Sequence, residues 1–341
     1  MRGFSRFIVL AACAVLTLVS LAVRPAPRGA STGRGPVITV ANAAKVRELG
    51  QIQKDAIHIA FRPDGKAFAL VGWEKPVELR DATDYRLLRV IGAGKKLIAL
   101  AFNPKGESVA YCENRHDGLA VIFFPASGKR IRIMTGNLQP DVTFSPDGKL
   151  LATGGYGTEV KLWRASDGSF VRSFASGGRA GGLLPVFSPD GKILALGNRN
   201  GPTKLFAVAS GRLLRTLDKA MTQEIAFSPD GERLAVAYVE GNVGVWNVAD
   251  GSLIKMLQPR AEESYTVAWS PRGDLLATAG KNSKITLWNA KDLQLLKELP
   301  SPESVTSVVF GPDGSQLLAA GGTIAKSSHR NVRIFGVPKA L

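Results

Sequence analysis

Between residues 45 and 337 the apolar positions gather into short runs, each closed by glycine, proline, asparagine or aspartate. KLLATGG at 149–155, EVKLW at 159–163 and SFVRSF at 169–174 follow one another in this way. Runs of this length between turn residues predict β-strands joined by tight turns.

One unit recurs through the pattern: an aromatic, one residue, Pro, one residue, Gly. It stands as FRPDG at 61–65, FNPKG at 102–106, FSPDG at 144–148, 187–191 and 227–231, WSPRG at 269–273 and FGPDG at 310–314. Successive copies are 41, 42, 43, 40, 42 and 41 residues apart. Proline presets φ for the first central position of a type I turn, Asp suits the next, and Gly takes the left-handed position that ends the hairpin loop. One strand precedes each turn (SVTSVVF, 304–310) and another follows it. A third ends in a large apolar residue (NVGVW, 242–246; KITLW, 284–288), and a fourth follows a second turn (SLIKML, 252–257). The expected fold is therefore all-β: a seven-bladed β-propeller of four-stranded antiparallel blades. After FGPDG the chain supplies only two more strands, so the last blade lacks its outer one. The segment KVRELGQI at 45–52 is expected to complete it and close the ring.

On these motifs the repeat resembles the WD-repeat (Trp-Asp) β-propeller family over residues 45–337, as a degenerate, bacterial-type exported member. The resemblance implies an interaction platform whose upper-face loops and channel mouth make the contacts. The chain departs from the family at its signatures. No repeat has the Gly-His dipeptide, and the Trp-Asp pair is replaced by Trp163-Arg164, Trp246-Asn247, Trp288-Asn289, Phe206-Ala207 and Phe335-Gly336. The family's buried Asp-His-Ser/Thr-Trp network cannot form as a set, so the blades must rely more on apolar packing.

The N-terminus changes the picture outside the ring. Arg2 and Arg6 precede an uncharged run from Phe7 to Val23, with small residues near its end. This is a secretory signal pattern, with an uncleaved membrane anchor as the alternative. Residues 24–44 are rich in Pro, Gly and Ala and carry no acid, and read as a linker. The expected organisation is thus 1–23 signal or anchor, 24–44 linker and 45–341 propeller. The location is expected to be periplasmic or extracellular, or at the membrane if the segment anchors.

Of the net charge of +16, the first 44 residues supply five arginines, which leaves +11 on the ring. The expected outer strands KVREL, LLRVI, RIRIM, FVRSF, LLRTL, LIKML and LLKEL each place a base third: Arg47, Arg89, Arg132, Arg172, Arg215, Lys255 and Lys297. Bases on an edge strand discourage edge-to-edge aggregation. The same belt could hold an anionic envelope component, an acidic polysaccharide or lipid headgroups. Aromatics that are mostly assigned to core positions argue against nucleic acid.

Two further sets are candidate contact residues. Three positions before each repeat aromatic stand His58, Asp141, Glu224, Thr266 and Ser307, with Ala99 and Leu184 in the other two repeats. They are expected near the channel mouth, as a polar ring. The loops between second and third strands carry Trp73, Arg115, Tyr156, Arg199, Lys281 and Arg330, residue types enriched at binding hot spots. Two cysteines and three histidines predict neither a disulfide framework nor a metal site, and no cofactor motif occurs. No nucleophile elbow, phosphate loop or HExxH is present. A catalytic reading rests on Asp141 and Glu224 meeting across the channel as an acid–base pair. The reading favoured is a non-catalytic, monomeric, exported propeller with a protein partner.

Overall fold

A computed structural model describes residues 35–54, 56–72, 75–113, 118–138, 141–177, 180–217, 220–259, 264–281, 284–301, 304–321 and 331–338. Apart from one short 3-10 segment, Val40–Lys45, the regular elements among the described residues are all strands. They form seven antiparallel sheets arranged as the blades of a propeller. The innermost strands are His58–Phe61, Leu97–Phe102, Val142–Phe144, Gly181–Phe187, Thr222–Phe227, Ser264–Trp269 and Val305–Phe310, blades 1 to 7 in order.

The turns form as the repeat predicts. Gly148 has φ of +73°, and its N–H reaches the Ser145 carbonyl at 2.8 Å. The Ser145 hydroxyl donates to Asp147 at 2.6 Å and accepts from Leu150 N–H at 2.9 Å. Asp147 also accepts from Lys149 N–H at 3.0 Å. The same contacts recur at Ser188–Ile193 and Ser228–Arg233. On the lower face these turns touch in sequence around the ring. Gly191 lies on Pro146, Gly231 on Pro189, Gly273 on Pro229, Gly314 on Pro271 and Gly65 on Pro312.

The core lies between blades, because each radial sheet must bury both of its faces. Blades 1 and 2 share one apolar cluster, with Val77, Ile91, Leu100, Phe102 and Tyr111 among its members. Blades 3 and 4 share another, in which Phe174 meets Phe206 edge-on at 5.5 Å. Part of the expected polar network survives the loss of its signatures. Trp163 and Trp288 donate to Thr153 and Thr278, both at 2.9 Å, and in blade 5 the Tyr238 hydroxyl accepts from Trp246.

The ring closes with the N-terminal strand. Arg47–Ile52 pairs antiparallel with Asn331–Gly336, as the outer strand of blade 7. The preceding residues, expected to be linker up to 44, are already docked from Ile38 onward. Ile38 is buried in the cluster that holds Phe310 and Leu317, and its N–H donates to Gly314 at 2.8 Å. One sheet has five strands instead of four. Gly155–Gly157, in the upper loop of blade 3, crosses over and pairs with Gly181–Leu183 of blade 4.

Candidate functional site

The polar ring occupies the start of the innermost strands, but it is not an open channel lining. His58, Asp141, Glu224, Thr266 and Ser307 are all buried. Their register sets each against the next blade. Ser307 accepts from Ile59 N–H of blade 1 at 3.2 Å, and Thr266 accepts from Val308 N–H of blade 7 at 3.1 Å. Glu224 sits at the equivalent junction of blades 5 and 6. Burial pushes its carboxyl well above the usual range, against the pull of Thr266, the Val267 N–H and Arg199. Neither of its oxygens makes a hydrogen bond of normal geometry. In blade 4 the donor position is Pro185, which has no N–H to offer Asp141 of blade 3. At the junction of blades 1 and 2, burial lowers the His58 pKa to about 4, so the imidazole is neutral. Ser307 and Thr266 therefore clasp neighbouring blades, while His58, Asp141 and Glu224 are buried at the corresponding junctions. The charge of Asp141, two blades away, adds a small further upward push to the Glu224 carboxyl. Cys112, fully buried, has its thiol pushed up by burial and then by Asp141 and Glu113.

On the upper face, Trp73, Arg115 and Arg330 fall outside the described residues. Lys281 is exposed on blade 6. Tyr156 and Arg199 are brought together at blade 4. Tyr156 lies on the crossing strand, where its N–H donates to the Leu138 carbonyl at 2.7 Å and its register partner is Gly182. Arg199 N–H donates to the Gly182 carbonyl at 3.1 Å. The Arg199 stem lies over Gly182 so closely that a Cβ there would come within 2.6 Å of it. Glycine is thus what allows this arginine to lie across the end of the inner strand. Leu138, Tyr156 and, one blade on, Met221 are 45%, 46% and 43% exposed. Among the described residues, every other exposed large apolar side chain belongs to an outer strand. Leu138 and Met221 were not singled out by the sequence. Their position just before an inner strand, in an otherwise polar loop, was the available signal.

The belt is not seven equivalent charges. In blades 1, 3, 4, 5 and 6 a bulge in the outer pairing sets the basic residue toward the following blade. From there Arg215 donates to the Ala249 carbonyl at 2.9 Å, Lys255 to the Leu293 carbonyl at 3.0 Å, and Lys297 to the Ala44 carbonyl. Arg172 packs on Gly211 of the next blade. Blade 2 pairs without a bulge, so its alignment is off by one. Ile131 takes the belt position, and Arg132 faces back toward blade 1. In blade 7 the equivalent position is Gly50, opposite Ile334, and Arg47 lies three residues before it.

Among the described residues there is no cluster of three or more His, Cys, Asp or Glu that could hold a metal. Nor is any helix there long and apolar enough to cross a membrane. The family model described as WD domain, G-beta repeat, matches residues 128–164 and 253–289. The first match begins at the turn before the outer strand of blade 2 and the second at the start of the outer strand of blade 5, and each runs through the third strand of the next blade to the residue after its tryptophan, Arg164 and Asn289. The chain carries WD repeats at these two places. Seven blades around a ring agree with that family, whose propellers typically serve as protein-interaction scaffolds. A search of curated proteins finds no match.

Proposed function

We propose that this WD-repeat propeller is an exported protein-interaction platform that works by binding and not by catalysis, through the upper face of blades 3 to 5. The observation that carries the reading is the group made by Leu138, Tyr156 and Met221. Leu138 and Tyr156 are exposed beside an arginine whose stem lies over Gly182, and Met221 is exposed on the upper loop one blade on. An aromatic and an arginine on a rigid scaffold are the ingredients of a binding hot spot. A binding role without chemistry is favoured because the two carboxyls of the channel are buried and the Cys112 thiol is held protonated. Export rests on the pattern of residues 1–23 alone.

The test is a crosslinking pull-down of the full chain from its native envelope fraction, beside the double variant Leu138→Ser/Tyr156→Ser. A protein partner captured by the wild type and reduced at least about tenfold in the variant is expected. Capture should persist at high ionic strength, because an apolar-centred contact is weakly screened. Equal capture by both forms would refute the upper-face assignment.

A further inference from the structure

The one-residue register change in blade 2 has brought charges together at the rim. A groove of about 540 Å³ runs between blades 1 and 2, lined by Arg89, Lys95, Arg130 and Arg132 together with a single acid, Glu113. Arg89 comes from the outer strand of blade 1 and faces forward, opposite Leu79. Arg130 and Arg132 come from the outer strand of blade 2 and face back, opposite Phe123 and Val121. Elsewhere on the rim Arg215 and Lys255 donate to carbonyls in the next blade's turn, and Arg172 packs on Gly211 there. Here the two rows converge instead.

The groove's charge is not neutralised from within. Glu113 is engaged by Lys95 at 2.7 Å. None of the three arginines makes an ion pair among the described residues. Arg130 lies over the Phe123 ring, 5.3 Å from its centre, and its guanidinium also reaches the Tyr111 hydroxyl. Burial, then the Glu113 charge, raises the Tyr111 pKa, so the phenol remains a neutral donor in the wall. Three guanidinium groups with no carboxylate partner among the described residues, around one concave space, suit bidentate recognition of planar or tetrahedral oxyanions.

We propose that the groove between blades 1 and 2 binds a compact polyanion carrying two or more carboxylate or phosphoryl groups. The site is independent of the upper face. It narrows the idea of an anion-holding belt to one place, since the bases of blades 3 to 6 are occupied by neighbouring turns.

The test is calorimetric titration of the full chain with citrate and with pyrophosphate at low ionic strength, with acetate as the monovalent comparison. Three variants are compared with wild type: Arg89→Ala/Arg132→Ala, Arg215→Ala as a belt base outside the groove, and Tyr156→Ser. Citrate or pyrophosphate should bind in the micromolar-to-millimolar range, more tightly than acetate, and weaken as salt is added. The double variant should lose about tenfold or more, while Arg215→Ala and Tyr156→Ser stay within about twofold. Binding of citrate alone or of pyrophosphate alone supports the site and identifies the oxyanion. The double variant should keep its melting temperature, because both arginines are exposed and bond nothing in the fold. No binding of either polyanion, acetate binding as tightly as citrate, or equal loss in Arg215→Ala would overturn the proposal.

Discussion

His58 and Glu224 hold the same register position in blades 1 and 5, both buried, and their burial makes opposite demands on pH. The His58 pKa is near 4 in the fold and 6.5 in the unfolded chain. Between those values only the unfolded chain takes up the proton, so stability falls as pH falls through the window. Glu224 behaves inversely. Its raised pKa means that the unfolded chain loses a proton the fold retains, so its contribution declines as pH rises above the usual carboxyl range. His58→Leu should therefore gain on wild type by about 3 kcal/mol between neutral pH and pH 4. Glu224→Gln should gain in the other direction, as pH is raised. Chemical denaturation of the three proteins across pH checks both signs, and parallel pH curves would count against the burial of both groups in the fold. Such polarity was legible as a recurring position in the sequence. Its burial was not, because which blade a side chain faces depends on the neighbour's register.

At the scale of the element, the outer strands show what a repeat can and cannot convey. Turns were legible because glycine at φ near +73° and the Ser-Asp pair are local chemistry. Pairing across a blade is not local. A single bulge decides whether RIRIM offers Arg132 or Ile131 to the next blade, and the sequence marks that bulge only weakly. The alternation of Ile131 and Ile133 with arginine was the clue, since a strand buries the apolar half of a period of two. Ile131 and Ile254 share the second position of their outer strands, yet the first is buried and the second is 44% exposed. Ile131→Ala should accordingly cost about 3 kcal/mol and Ile254→Ala less than about 1 kcal/mol. Urea unfolding of the two variants tests this; equal costs would mean that blade 2 has the register of its neighbours. The candidate upper-face group was legible in Tyr156 and Arg199, which the fold places beside one glycine. Leu138 joins them only through the strand that crosses between blades, while Met221 is exposed separately, one blade on.

For the molecule as a whole, closure depends on the ends. Arg333 pairs with Glu48 across 285 residues of chain, on strands that complete one blade. A chain that begins at residue 53 lacks both this strand and the docked Ile38 segment. It should lose cooperative unfolding, or melt at least about 10 °C lower, by differential scanning calorimetry. Contacts of such separation also slow folding, since loop-closure entropy is met before the contact forms. During synthesis, then, the first strand made waits for the last strand made. Six blades can assemble on a nascent chain as their repeats emerge, while the seventh stays an unpaired edge until residues 331–336 arrive. A deletion of either terminus inflicts one and the same injury: it strands its partner at the opposite end of the message.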